Sequence, residues 1–414
     1  MSNDDVVIVG AGVAGCSLAS LLQRRGFDVT ILEKASVGGL LREIEFESGF
    51  YCDSAPHLLF FDEEAESAVG ELFERYTDLR RGEFYAATYP DGDLKNPHHY
   101  PVSEENIDRW NDADQIRTEL DGTLDRSDAE FFEEYVVEQV GPTLYDRYYR
   151  HYTEKHWGID PARITGDWFD FKINFPESEQ EFFGGGAYYP TTRYTEVLRE
   201  MISDCEIVFD GASGLVTDGD RIESVSTEGG DEIGGDIFVS TVDPRVLLSG
   251  SDEELQYRSM VILGLHLEAT DRLFPEHVDW GYFPNHYEFT RITDYEFTGQ
   301  ALPADEYILT VEFPCFVDDE TWSRADEWCE AYTLDFLSSQ GIDGDVIASE
   351  VRRARRAYPL PVRDEIETFQ RLNEQLASYE NIFNLGRVSS YQYIWIKDIV
   401  QQAWETLENI ERSR

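Results

Sequence analysis

The junction between an apolar run, Val6 to Val9, and the segment Gly10-Ala11-Gly12-Val13-Ala14-Gly15 constrains this chain more than any feature after it. Helical spacing of apolar residues runs from Cys16 to about Arg25 and stops at Gly26, and Asp28 to Glu33 reads as a second strand. A strand, a G-x-G-x-x-G turn, a helix and a strand ending in an acid form the full dinucleotide-binding fingerprint. In that unit Gly10 makes the tight turn, Gly12 lets the backbone approach a pyrophosphate, and Gly15 permits close packing of helix on strand. The helix N-terminus, at Val13 and Ala14, offers oriented N–H donors to phosphate. Glu33 can accept from ribose hydroxyls, so a free 2′-hydroxyl is expected and a 2′-phosphate would be repelled.

The remaining pattern predicts an α/β protein: a Rossmann-like binding domain, a helical insertion, and a second domain built on a mixed or antiparallel sheet. From about Ala65 to Lys155 the pattern is helical and acidic, with a capping box at Ser127-Asp128-Ala129-Glu130 and a helix ending near Gly141-Pro142. Phe182 to Pro190, rich in Gly and Tyr, reads as a loop able to move or as a tight turn. Short strands with Asp-Gly and Gly-Gly turns fill Ile207 to Val242. Met260 to Leu267, Tyr287 to Thr293 and Tyr307 to Phe313 suggest the second sheet; a strand from Ile382 to Leu385 and a helix from about Trp395 close the chain. The expected domains are 1–64, 195–250 and 366–414 (dinucleotide-binding), 65–165 (helical), and 166–194 with 251–365 (sheet).

Charge narrows the partners. With 84 Asp and Glu against 34 Lys and Arg, the formal charge is −50. Such a field repels nucleic acid and anionic membrane, so neither is an expected partner. The acids are dispersed, which points to a protein built for molar salt, where the Debye length shrinks to roughly 3 Å, rather than to a face that docks a basic partner. Any arginine beside an anion site then stands out from its surroundings. Five scattered cysteines without a C-x-x-C pair argue against a disulfide framework and a zinc site. No apolar run approaches the ~18 residues of a membrane helix, and Met1 leads almost directly into the first strand. A reduced, soluble, cytoplasmic protein is expected, compatible with a homo-oligomer.

Five residues beyond Glu33, Gly38-Gly39-Leu40-Leu41-Arg42 resembles the extended motif of FAD enzymes in the amine oxidase and mutase group. Asn384-Leu385-Gly386-Arg387, followed by Tyr391 and Tyr393, resembles that group's C-terminal flavin-contacting segment. Together with the remaining motifs these identify a resemblance to the UDP-galactopyranose mutase family over nearly the full chain. Tyr152-Thr153-Glu154-Lys155-His156-Trp157 with Asp160-Pro161 is similar to its Y-T-x-K-x-W…D-P signature, which implies that Tyr152 and Trp157 line a nucleotide-sugar pocket. Thr290-Arg291-Ile292-Thr293 resembles the run whose arginine grips the sugar diphosphate, and Pro190 with Tyr194-Thr195 resembles P-x-x-G-Y-T, with Arg193 in place of glycine. Tyr358-Pro359 and Tyr393 are similar to segments that supply two pyrophosphate-contacting tyrosines. Pro56-His57-Leu58-Leu59-Phe60 resembles the stretch whose histidine sits beside the isoalloxazine ring, and Tyr257-Arg258-Ser259 the Y-R-[ST] before a central strand.

The resemblance therefore implies FAD, active when reduced, held by Gly10, Gly12, Val13, Ala14, Gly15, Glu33, Lys34, Gly38, Gly39, Leu40, His57, Leu58, Gly386, Arg387 and Tyr393. The implied substrate is a nucleotide sugar, a UDP-sugar, bound by Tyr152, Trp157, Arg193, Tyr194, Arg291, Tyr358 and Tyr393, with Arg291 and His57 closest to the chemistry. In that family reduced flavin N5 attacks the anomeric carbon, the nucleoside diphosphate departs, and the sugar recloses in the other ring size, as from UDP-galactopyranose to UDP-galactofuranose, for surface glycan synthesis. Arginine and tyrosine suit such a site because they grip phosphate oxygens without giving up protons. Further departures from the family pattern are visible, Pro56 in place of the glycine beside His57 among them. No arginine lies between Gly166 and Thr192, where the family carries a mobile-loop arginine, and Trp395 stands near the place of an acid. Asp236 to Thr241 is compatible with a broader alternative, an amine-oxidase-like or desaturase-like FAD oxidoreductase.

Overall fold

The computed structural model describes residues 4–61, 67–123, 129–165, 178, 186–275 and 277–413. Asp5–Val9 is the middle strand of an all-parallel five-stranded sheet. Asp28–Leu32 and then Glu206–Val208 flank it on one side, and Ile237–Ser240 and then Ile382–Asn384 on the other. Val6 to Val9 are all buried, as expected of a parallel strand covered on both faces. The helix Val13–Arg24 buries Cys16, Leu18, Ala19, Leu21 and Leu22 and packs against the last helix, Ile396–Arg412. The beginning, middle and end of the chain thus share one sheet. Ala212–Asp218, Arg221–Thr227 and Glu232–Gly234 form a separate antiparallel sheet.

A seven-stranded mixed sheet makes the second core. Its order is Gly344–Pro359, Tyr257–Ala269, Glu306–Cys315, Arg291–Asp294, Trp280–Tyr282, Ala86–Thr88 and His98–Tyr100. All its pairings are antiparallel except Trp280–Tyr282 with Ala86–Thr88.

Three expectations need correction. The helical stretch from Ala65 contains strands Leu79–Gly82, Ala86–Thr88 and His98–Tyr100, because partners distant in sequence supply their hydrogen bonds and override the local pattern. Tyr287 to Phe289 is irregular rather than strand. Its carbonyls, at Tyr287 and Phe289, are taken by Lys155 Nζ at 2.9 and 2.8 Å instead of a neighbouring strand. The 16-residue edge strand Gly344–Pro359 has no counterpart in the sequence reading. Ser127 of the capping box and Gly184 and Gly185 of the glycine loop lie outside the described residues, while Ala187–Pro190 is a buried strand.

The helical part culminates in Phe132–Val140, Pro142–Leu144, one π-helical stretch Tyr145–Arg150, and the α-helix His151–Trp157. Gly158, at φ 69°, ends that helix in the left-handed region. Arg258 fixes the same end: its Nε donates to the His156 carbonyl at 2.7 Å and its Nη2 to that of Lys155 at 2.9 Å. Arg258 is itself buried, so it pins the helix rather than reaching solvent.

Candidate functional site

The first part of the site is the turn that opens the helix Val13–Arg24. A Cβ on Gly15 would lie 2.0 Å from the Gly10 carbonyl oxygen, so only glycine permits this approach. Gly12, the N-cap, has ordinary extended backbone, and a Cβ there would meet nothing nearer than the Gly39 Cα at 3.8 Å. No side chain caps this helix and its first turn carries no acid. The end is therefore left open to an anion, with Gly39 facing it and Gly386, at φ 91°, against Ala14. Glu33 Oε2 accepts from the Ala11 N–H at 2.8 Å and Oε1 from Ala35 and Ser36, so the acid also ties the turn together. Gly38 N–H donates to the Ala11 carbonyl. Arg352, from the edge strand, donates to the carbonyls of Gly39 and Arg42. The Leu40 carbonyl accepts from the Ser54 hydroxyl, and Leu58 is buried in the core that packs the helix Val13–Arg24. Open N–H donors, facing glycines and a ribose-side acid fit a dinucleotide. Lys34 points elsewhere, to an exposed ion pair with Glu228.

The second part is an aromatic and arginine cluster. Tyr152 stacks on His156 at 5.5 Å and meets Tyr282 edge-on at 5.4 Å. Trp157 contacts Tyr358 at 5.8 Å and Tyr393 at 6.0 Å, and those two tyrosines lie 5.6 Å apart. Arg387 sits over both, at 5.4 and 5.5 Å, while its guanidinium donates to the carbonyl of Ile394. Arg291 lies 6.0 Å from the Tyr282 ring, and its Nε and Nη2 donate to Glu312 Oε1 at 2.7 and 2.6 Å. Five of the expected substrate residues, Tyr152, Trp157, Arg291, Tyr358 and Tyr393, are thus brought together with Arg387.

Burial works against the Arg291 charge, but Glu312, then Tyr282, Tyr358 and Tyr152, outweigh it and keep the guanidinium charged. Burial lifts Glu312 above the ordinary carboxylate value while Arg291 pulls it back. Burial also raises Tyr152, Tyr282 and Tyr358, so they are neutral phenols able to donate. His156 is pushed down to about 3, first by burial and then by Arg258, Arg291 and Lys155. Neutral donors around guanidinium groups make a local anion site in a strongly acidic chain.

His57 links the two parts. Burial and then the fields of Arg387, Arg352 and Arg291 lower its imidazole to about 3, so three arginines act on one neutral ring. Tyr194 is fully buried, and its hydroxyl donates to the His57 carbonyl at 2.7 Å. Arg193 goes elsewhere: it pairs with Glu45 at 3.2 Å and lies over the Tyr51 ring at 4.3 Å, with no cluster residue among its contacts. Tyr282, Glu312, His156 and Arg352 were absent from the expected site. Glu312 carried a readable signal, a lone carboxylate inside the apolar run Ile308 to Phe313 and in register with Arg291.

The profile of an NAD(P)-binding Rossmann-like domain matches residues 8–76, and that of UDP-galactopyranose mutase matches residues 147–333. The dTDP-fucopyranose mutase of Escherichia coli is 22% identical over 416 residues, spanning 97% of this chain and 96% of the relative. A probable UDP-galactopyranose mutase of Klebsiella pneumoniae is 23% identical over 217 residues, 50% of this chain and 54% of that protein. Among solved structures, reduced UDP-galactopyranose mutase superposes with a TM-score of 0.83 at 18% identity, covering 100% of this chain and 95% of the other. The segment matched by the mutase profile holds Tyr152, Trp157 and Arg291, and the fold agrees from end to end. This chain is an isomerase-class enzyme whose residues 147–333 match the UDP-galactopyranose mutase family model and whose fold is similar to that of a solved mutase.

Proposed function

We propose that the chain is an FAD-dependent nucleotide-sugar mutase that interconverts pyranose and furanose rings, with UDP-galactose as the first substrate to test and dTDP-fucose as the second. The observation that carries this is the convergence of Tyr152, Trp157, Tyr282, Arg291, Tyr358, Tyr393 and Arg387 on the side of His57. Bound reduced flavin would supply a nucleophilic ring nitrogen for the anomeric carbon. The chain's own part is to hold a diphosphate that departs and must be recaptured. Arg291, kept charged by Glu312, offers a planar fork to phosphate oxygens, and Tyr358 and Tyr393 offer hydroxyl donors beside Arg387. Trp157 and Tyr152 supply apolar faces for sugar and base and exclude water. Gly10, Gly12, Gly15 and Glu33 favour a dinucleotide, hence FAD rather than a mononucleotide flavin.

Arg291→Lys tests the reading while sparing the fold, because lysine keeps a charge for Glu312 and loses the fork. Loss of a charge-assisted hydrogen bond worth ~1.5–3 kcal/mol should weaken nucleotide-sugar binding roughly ten- to hundred-fold, with flavin content unchanged. Unaltered binding by equilibrium dialysis would remove Arg291 from the diphosphate site.

A further inference from the structure

Asp53 is completely buried, three residues before the Pro56-His57 segment. Its Oδ1 accepts from the Tyr189 hydroxyl at 3.0 Å. Its Oδ2 is buried with no hydrogen-bond partner, and so is His57 Nδ1. These two atoms lie 3.9 Å apart. Tyrosine hydroxyls brace both residues from behind: Tyr295 donates to the Asp53 carbonyl at 2.9 Å and Tyr194 to the His57 carbonyl at 2.7 Å. His57 keeps 20% of its side-chain exposure. Nδ1 is the buried nitrogen, which leaves Nε2 as the nitrogen available to the site.

We propose that Asp53 is a positioning residue: its carboxyl holds the proton and donates it from Oδ2 to His57 Nδ1, so that His57 presents Nε2–H as a donor to the site. A carboxylate and an imidazole each left without a partner, facing one another in the core, carry a desolvation cost that a single shared proton removes. Closing the gap by about 1 Å brings the pair into hydrogen-bond range, which a small ring rotation achieves. The protonation state follows from the surroundings. Burial and then the neighbouring Glu43 push the Asp53 carboxyl well above its ordinary range, against hydrogen bonds from Tyr189 and the His57 backbone and the field of Arg352. His57 stays neutral because burial and Arg387, Arg352 and Arg291 oppose its charge. A neutral acid facing a neutral imidazole donates to it, and the imidazole's own proton then sits on the other nitrogen. This inference rests on the flavin reading only for its consequence: Nε2–H facing a bound flavin would steady negative charge on the reduced ring.

The test is ¹⁵N NMR of the imidazole nitrogens in the flavin-free protein, for the wild type, Asp53→Asn and Asp53→Ala. The expected wild-type spectrum has Nε2 protonated and Nδ1 in the unprotonated range throughout neutral pH. Asp53→Asn keeps that tautomer, because its Oδ1 takes the Tyr189 bond and its amide donates to Nδ1. Asp53→Ala shifts the ring toward a mixture of tautomers. A wild-type ring protonated at Nδ1, or an alanine variant with the wild-type spectrum, overturns the proposal. Should the alanine variant not fold, the wild-type tautomer alone decides by the same criterion. In the flavin-loaded protein the alanine variant should lower the flavin midpoint potential and the asparagine variant should restore it. Flavin binding, read separately by absorbance, tells failure of the flavin reading from failure of this one.

Discussion

Removing the Arg291 guanidinium would expose how much the site's charge depends on one buried pair. Glu312 is 2% exposed, and among the described residues its cation is Arg291, which reaches Oε1 with two nitrogens. Breaking a buried pair from one side costs about 3–5 kcal/mol, because the survivor is left charged and dry. Arg291→Met should therefore lower the unfolding free energy by about that amount, read from the urea midpoint at unchanged slope. Arg291→Met/Glu312→Leu should recover most of the loss, since an apolar pair of similar volume is often neutral. The pH dependence carries a sign. Glu312 already lies above its unfolded value, and removing Arg291 removes a cause that lowers it. In the single variant the folded state then binds the Glu312 proton more tightly than the unfolded state does. Stability tied to that proton is present at low pH and lost as pH rises through the folded pKa, so the deficit of Arg291→Met should widen from acidic to alkaline solution. A single variant within about 1 kcal/mol of wild type, or a deficit independent of pH, would refute the assignment of Glu312 as a dry counter-ion.

Three further substitutions have expected outcomes. Gly12→Ala should fold with an unchanged midpoint, since its Cβ meets only the Gly39 Cα at 3.8 Å, yet bind flavin at least ~10-fold more weakly if the pyrophosphate lies on this turn. Gly15→Ala, whose Cβ would lie 2.0 Å from the Gly10 carbonyl, should instead be destabilised outright by urea titration. His156 is held near 3 in the fold and protonates near 6.5 when unfolded, so it contributes stability above 6.5 that is lost as pH falls toward 3. His156→Phe should gain on wild type by roughly 2 kcal/mol at pH 5; a difference that stays flat with pH would mean the ring is not buried neutral.

The binding domain was legible because its signals are local: an apolar run, glycines at fixed offsets and an acid at the end of the next strand all fall within the first βαβ unit. The second sheet was legible only in part. Its edge strand, Gly344–Pro359, is half exposed and rich in arginine, so neither strict alternation nor a continuous apolar run marks it. That strand nevertheless delivers Arg352 to the glycine turn and Tyr358 to the aromatic cluster. Tyr282 was invisible for another reason. It lies on a three-residue strand whose place is set by pairing with Ala86–Thr88, almost 200 residues earlier. Arg193 shows the converse. Its neighbours in sequence resembled a binding motif, but its side chain pairs with Glu45 beside Tyr51. Motif resemblance located the segments; only tertiary pairing decided which side chains meet.

A redox-neutral rearrangement on a reduced flavin leaves a signature that a single assay reads. Protein reconstituted with FAD, in molar salt, is incubated with UDP-galactofuranose and separately with the furanose form of dTDP-fucose, with and without dithionite, and the sugar nucleotides are separated by chromatography. One of these substrates should be converted to its pyranose form only after reduction, over many turnovers and without stoichiometric oxidation of the flavin. Flavin that binds and reduces but converts neither substrate, or that is oxidised once for each product formed, would contradict this reading.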